Sequence, residues 1–215
     1  MSYPPAPWKL QGYAIQTLHL VDIERSRHLI PAEFKIIPVW PGKTLGSVYL
    51  SCYGSGSILE YSELIVAPAV VNYRGKIGAW VSHIYVDNAD SVAGGQEIWG
   101  LPKELAEFTW EQEKRVTVRR GNQLLCSLNY NQQNFAWRQR FSASSFSAKS
   151  ADLLMFPFEC ESLLGLIGSQ LEVFAESPFS EIGLGQPTLT VRYEQMGLKV
   201  DAPQVVGHTG VVSYQ

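Results

Sequence analysis

Charged residues are scarce: Asp, Glu, Lys and Arg make up 17% of the 215 residues, below the ~25% of an average globular chain. Much of the surface is therefore expected to be apolar or covered in an oligomer. The formal net charge is −3, and a basic pair such as Arg119-Arg120 is too short to form a stripe. Nucleic acid is thus set aside as a partner. No stretch approaches the ~18 uninterrupted apolar residues that span a bilayer. The N-terminus, MSYPPAPWKL, lacks the apolar core and small-residue cleavage pattern of a signal peptide. These absences predict a cytoplasmic protein with no membrane span. The three cysteines, Cys52, Cys126 and Cys160, are odd in number and have no CxxC spacing, so they read as buried small hydrophobes. His19, His28, His83 and His208 form no HxH or HxxxH pair, so neither a metal site nor a cofactor is expected. His83, inside an apolar run, reads as a hydrogen-bonded core or pocket histidine.

What the chain does have is apolar bulk. Hydrophobic residues reach 46%, with six Trp, ten Tyr and nine Phe, types that favour strands and line apolar pockets. Alternating or wholly apolar runs predict strands at 13–20, 35–39, 45–53, 61–73 and 79–86, the last two paired as a hairpin about Arg74-Gly75-Lys76. Further strands are expected at 106–112, 115–119, 123–129 and 188–193, with 115–119 and 123–129 joined at Gly121-Asn122. A short helix is expected after Asp22, over 25–29, and another over 91–98 capped from Asp87-Asn88-Ala89-Asp90. The Ser-rich stretch 141–149 reads as a loop. No repeat or linker divides the chain, so residues 1–215 are read as one domain. Strands outnumber helices, which predicts a curved or closed sheet.

The segment that carries chemistry is Gly94-Gly95-Gln96-Glu97-Ile98-Trp99-Gly100-Leu101-Pro102-Lys103-Glu104-Leu105. A capped helix runs into a Gly-Leu-Pro turn that presents one lysine at the start of a strand, a junction that holds a side chain rigidly. Trp99 and Leu101 are large and apolar. A lysine among such neighbours is penalised for holding its charge, and only the uncharged amine attacks a carbonyl. The bland alternative is a surface lysine whose stem lies over Trp99.

Together with Tyr85-Val86-Asp87-Asn88 and the upstream Tyr61-Ser62-Glu63, this segment resembles the acetoacetate decarboxylase superfamily. Its "YxDN" matches residues 85–88, its "GRE" matches Gly95-Gln96-Glu97, and its "PKK" matches Pro102-Lys103-Glu104. The resemblance is firm over residues 7–130. It implies a mainly β fold with a few short helices (α+β), in which a barrel-like, double-layered antiparallel sheet encloses an apolar cavity, and it implies homo-oligomers. It implies an imine-forming enzyme acting on a β-keto acid or related carbonyl compound. Lys103 inherits the imine role and Glu63 a pocket carboxylate that handles protons. Glu97, Trp99, Leu101, Pro102, Glu104, Tyr61, Tyr85, His83 and Tyr13 are expected as pocket or supporting residues.

Three departures alter the expected substrate. The family's second lysine is Glu104 here, and a carboxylate facing Lys103 would favour the charged amine; in extended chain it is expected to face the other way. The family's N-terminal arginine falls at Gly12-Tyr13-Ala14, and a second family glutamate falls near Val48-Tyr49. The pocket is therefore expected to be more apolar than a decarboxylase pocket, with Arg138 and Arg140 as candidate cations. The other class of function is a non-catalytic binder of a lipid-, isoprenoid- or carotenoid-like ligand. Because a desolvated amine costs folding energy rather than supplying it, Lys103→Ala is expected to abolish any activity with little loss of stability.

Overall fold

A computed structural model describes residues 3–112 and 114–210. In chain order the strands are β1 (Trp8–Asp22), β2 (Lys35–Ile36), β3 (Lys43–Tyr53), β4 (Tyr61–Ala67), β5 (Ala69–Tyr73), β6 (Lys76–Trp80), β7 (His83–Val86), β8 (Lys103–Leu105), β9 (Glu107–Glu111), β10 (Arg115–Arg120), β11 (Gln123–Tyr130), β12 (Trp137–Lys149), β13 (Asp152–Leu166), β14 (Ser169–Val173), β15 (Leu189–Val200) and β16 (Gln204–His208). Helix α1 (Ile23–Arg27) follows β1, and helix α2 (Ala89–Trp99) lies between β7 and β8.

Twelve strands form one sheet in the order β2-β5-β6-β12-β13-β15-β1-β3-β4-β7-β8, with β16 added beside β13. The expected run 61–73 is broken at Pro68, which has no amide proton for a ladder. The run 79–86 is broken at Val81-Ser82, where the Val81 amide turns to Phe146 O and the Ser82 amide to Val66 O. The two halves of each run lie far apart in the strand order although they adjoin in the chain. The sheet must therefore curl until its two ends approach, and its inner face surrounds a hollow. Pairing is antiparallel except at β6–β12 and β7–β8, which are parallel.

A smaller antiparallel sheet, β14-β11-β10-β9, covers part of the outer face. Val116, Val118, Leu125 and Leu128 of this sheet meet Ile15, Leu50, Leu64 and Val66 of the large one in a core with no solvent exposure. The two layers thus follow from strict alternation along β4: Leu64 and Val66 enter this core while Tyr61, Glu63, Ile65 and Ala67 face the hollow.

The stretch 141–149, expected as a loop, belongs to the long strand β12, paired along its whole length with β13. Serine is a weak strand former, but here the pairing decides the conformation: Ser145 and Ser147 face inward, while Ser142 and Ser144 lie on the opposite side of the strand. The helix expected at 25–29 begins earlier, at Ile23, and the Asp22 side chain caps nothing; it is bonded to Lys43 instead.

Candidate active site

Helix α2 leads through a short turn to Lys103 at the start of β8. The Asn88 side chain accepts a hydrogen bond from the Ser91 amide at 3.0 Å, capping the first turn. The preceding Asp87 accepts from the Ser62 amide at 2.7 Å, tying the helix start to β4. The helix ends at Gly100, whose φ of 61° is left-handed, and a Cβ there would lie 2.7 Å from Ala148 O. Gln96 then donates to Lys103 O at 2.8 Å, fixing the first residue of β8. Gly95 leaves room for the lysine stem: a Cβ at that position would sit 2.4 Å from Lys103 Cδ.

The Lys103 side chain is 3% exposed. Its Nζ donates to Glu63 Oε1 at 2.8 Å and to Ser91 Oγ at 3.0 Å. The rings of Tyr61 and Trp8 lie 5.0 and 5.6 Å from Nζ, a separation suited to cation–π attraction. Glu63, also buried, accepts from the Tyr53 hydroxyl at 3.2 Å through Oε2, and Tyr53 is within 3.2 Å of the Tyr49 hydroxyl. Burial pushes the phenols of Tyr53 and Tyr61 well above their usual range, with the Glu63 carboxylate adding to it, so both remain neutral donors.

Beside this pair lies a cavity of about 190 Å³. Trp8, Leu10, Trp99 and Leu101 wall it near the amine, and Ile65, Phe156 and Met196 continue the apolar lining. Cys160 lines it too, its thiol pushed up to about 11 by burial. Lys103 and Glu63 are the charged residues of the lining among the described residues.

Of the residues singled out from sequence, Lys103, Glu63, Tyr61, Trp99 and Leu101 meet at the hollow. Six others lie elsewhere. Tyr85 and His83 share a parity on β7 opposite to Ile84, so they face the outer core, where both rings approach Phe179. Tyr13 stands on the outer face of β1 against Trp110, across a register shift between Gly12 and Ala14. Glu104 points away from Lys103 and pairs with Arg120 in solvent. Pro102 is exposed in the turn, and Glu97 is exposed, holding Lys149 at 2.9 Å and so bracing the helix end against β12. Arg138 and Arg140 supply no cation to the hollow: they are exposed and paired with Glu161 and Glu159.

Sequence reasoning missed Trp8, Ser91 and Tyr53. The alternation of β3, in register with β4, points Tyr53 into the hollow beside Tyr61. Ser91 sits three residues after the cap, a position legible once the helix start is known.

The chain is a curled, double-layered β fold with a buried lysine–glutamate pair beside an apolar hollow. The sequence profile of the acetoacetate decarboxylase (ADC) family matches residues 1–157, and the chain belongs to that family. Among curated relatives, "Protein NEOXANTHIN-DEFICIENT 1" of Solanum lycopersicum is 31% identical over 118 residues, covering 55% of this chain and 38% of that protein. An acetoacetate decarboxylase of Ralstonia nicotianae is 30% identical over 108 residues, 49% of this chain and 41% of its own length. The matched stretch thus spans about two-fifths of each of these relatives. The crystal structure of acetoacetate decarboxylase from Legionella pneumophila has the same fold, with a TM-score of 0.80 at 14% identity over 97% of this chain and 90% of that one. The enduracididine biosynthesis enzyme MppR, solved in complex with pyruvate, superposes with a TM-score of 0.68 at 12% identity over 96% and 93% of the two chains.

Proposed function

We propose that Lys103 is an imine-forming lysine and that the chain acts on a β-keto acid or related carbonyl compound more apolar than acetoacetate. The observation that carries this reading is the amine–carboxylate contact of 2.8 Å, buried and adjoining an open apolar cavity. A protonated amine cannot attack a carbonyl. Glu63 is within the reach required of a general base, and moving one proton along that hydrogen bond removes both charges from the hollow together. Glu104 stands where the family has a second lysine and is turned outward, so among the described residues no second cation lines the hollow to assist, and Glu63 carries this task.

The free amine adds to the carbonyl carbon to give a carbinolamine, and the proton held by Glu63 leaves with the hydroxyl as water. The product is a cationic imine. In a β-keto acid, the bond to the carboxylate then breaks, its electron pair moves toward the imine nitrogen, and CO2 departs. The resulting enamine is protonated at carbon and hydrolysed, which restores the lysine. Among the described residues the lining holds no cation besides Lys103 to partner a substrate carboxylate, which favours ligands whose bulk is apolar.

A second reading, a non-catalytic binder of a hydrophobic ligand, is favoured by the same nearly uncharged lining and by the similarity to the tomato protein. One experiment separates the two. A β-diketone is added to the wild type and to Lys103→Met, followed by cyanoborohydride. Adduct formation in the wild type alone supports the imine enzyme; uptake of a hydrophobic dye without adduct supports the binder.

A further inference from the structure

The walls of the hollow change along its length. Near Lys103 they are large rings. Four residues further along β4, at Ala67, they are small: Ser47 pairs with Ala67, and Ala79 pairs with Ser145. All four face the cavity. Between these ends stand Tyr49, Ile65, Val81 and Met196, none of them charged. The strand from Glu63 to Ala67 rises about 13 Å, the reach of an extended chain of roughly ten carbons.

Small residues on four different strands line this cavity, beside Phe156 that pairs with Ser145, and leave space that the core elsewhere fills with Leu, Val and Phe. Because β3 and β4 run in register, Ser47 and Ala67 close the hollow from one side. The parallel β6–β12 pair brings Ala79 and Ser145 to it from the other. We propose that this end is a chain-length gauge. The site takes an elongated compound with its carbonyl at Lys103 and an unbranched apolar tail of about eight to ten carbons ending among Ser47, Ala67, Ala79 and Ser145. This deepens the imine reading by naming the substrate's shape, and it is tested without imine chemistry.

Straight-chain primary alcohols cannot form imines, and Trp8 and Trp99 in the wall report their binding by fluorescence. In the wild type, affinity is expected to rise steeply from five carbons, by up to about fourfold per buried methylene, and to level off near ten. Ala79→Phe, which fills the far end, should bring the plateau about four carbons earlier. Ser145→Leu, on a different strand, should do the same and guards against a misfolded first variant. An affinity that does not depend on length, or a plateau unmoved in both folded variants, overturns the gauge. Either outcome leaves the trapping of a diketone at Lys103 as a separate question.

Discussion

At Lys103 two charges share one dry contact, and each is the other's compensation. Removing one leaves the other buried, which costs about 3–5 kcal/mol, whereas replacing both with neutral groups of similar size is often close to neutral. Lys103→Met should therefore lower stability by that amount, and Lys103→Met combined with Glu63→Gln should recover most of it; urea unfolding measures both. This differs from the expectation drawn from sequence, in which the cost of desolvating the amine made its loss cheap in stability. A single variant that unfolds at the wild-type midpoint would show that the carboxylate sheds its charge at no cost. Glu63→Gln alone should slow carbonyl trapping roughly 100-fold or more, the usual contribution of a positioned base. Tyr53 keeps its hydrogen bond to the amide oxygen, so a smaller effect would mean that water, not Glu63, takes the proton.

Helix α2 converts sequence signals into the position of one nitrogen. Asn88, Asp87 and Gly100 act on backbone rather than substrate, which is why the "YxDN" spacing was readable: caps and left-handed turns demand particular residue types. Asn88→Ala should cost about 0.5–2 kcal/mol. Gly100→Ala should cost more, because its Cβ would collide with β12 as well as strain the backbone. Both should slow trapping at Lys103, checked against thermal midpoints. A stable Gly100→Ala protein with unaltered trapping would show that the turn does not set the lysine. What the spacing did not reveal was facing. Tyr85 belongs to the motif yet points into the outer core, since one residue along a strand reverses the side. Glu63 and Lys103 are 40 positions apart, and only the β4–β7–β8 pairing joins them. The strand β12 was lost for a related reason: a half-exposed strand rich in Ser carries little apolar alternation, and its conformation comes from β13.

Over the whole molecule, curling the large sheet leaves one interior hollow, while a separate interior is packed solid against the small sheet. The solid one contains His19, fully buried between Leu184 O and Thr17 Oγ1, and burial lowers its proton affinity; His83 is lowered in the same way. Each is neutral when folded and binds a proton more readily when unfolded. Stability should hold above pH ~6.5 and fall as pH drops below it, by the linkage between proton uptake and unfolding. His19→Gln should flatten that slope in urea midpoints taken from pH 7 to 5; an unchanged slope would assign the acid sensitivity to other groups. The hollow interior carries the functional claim, and a residue-level map of the trapped adduct tests it most directly. After an apolar methyl ketone and cyanoborohydride, the added mass should lie on the peptide containing Lys103 and vanish in Lys103→Met. Mass found only on exposed lysines such as Lys76, or none anywhere, would contradict the account.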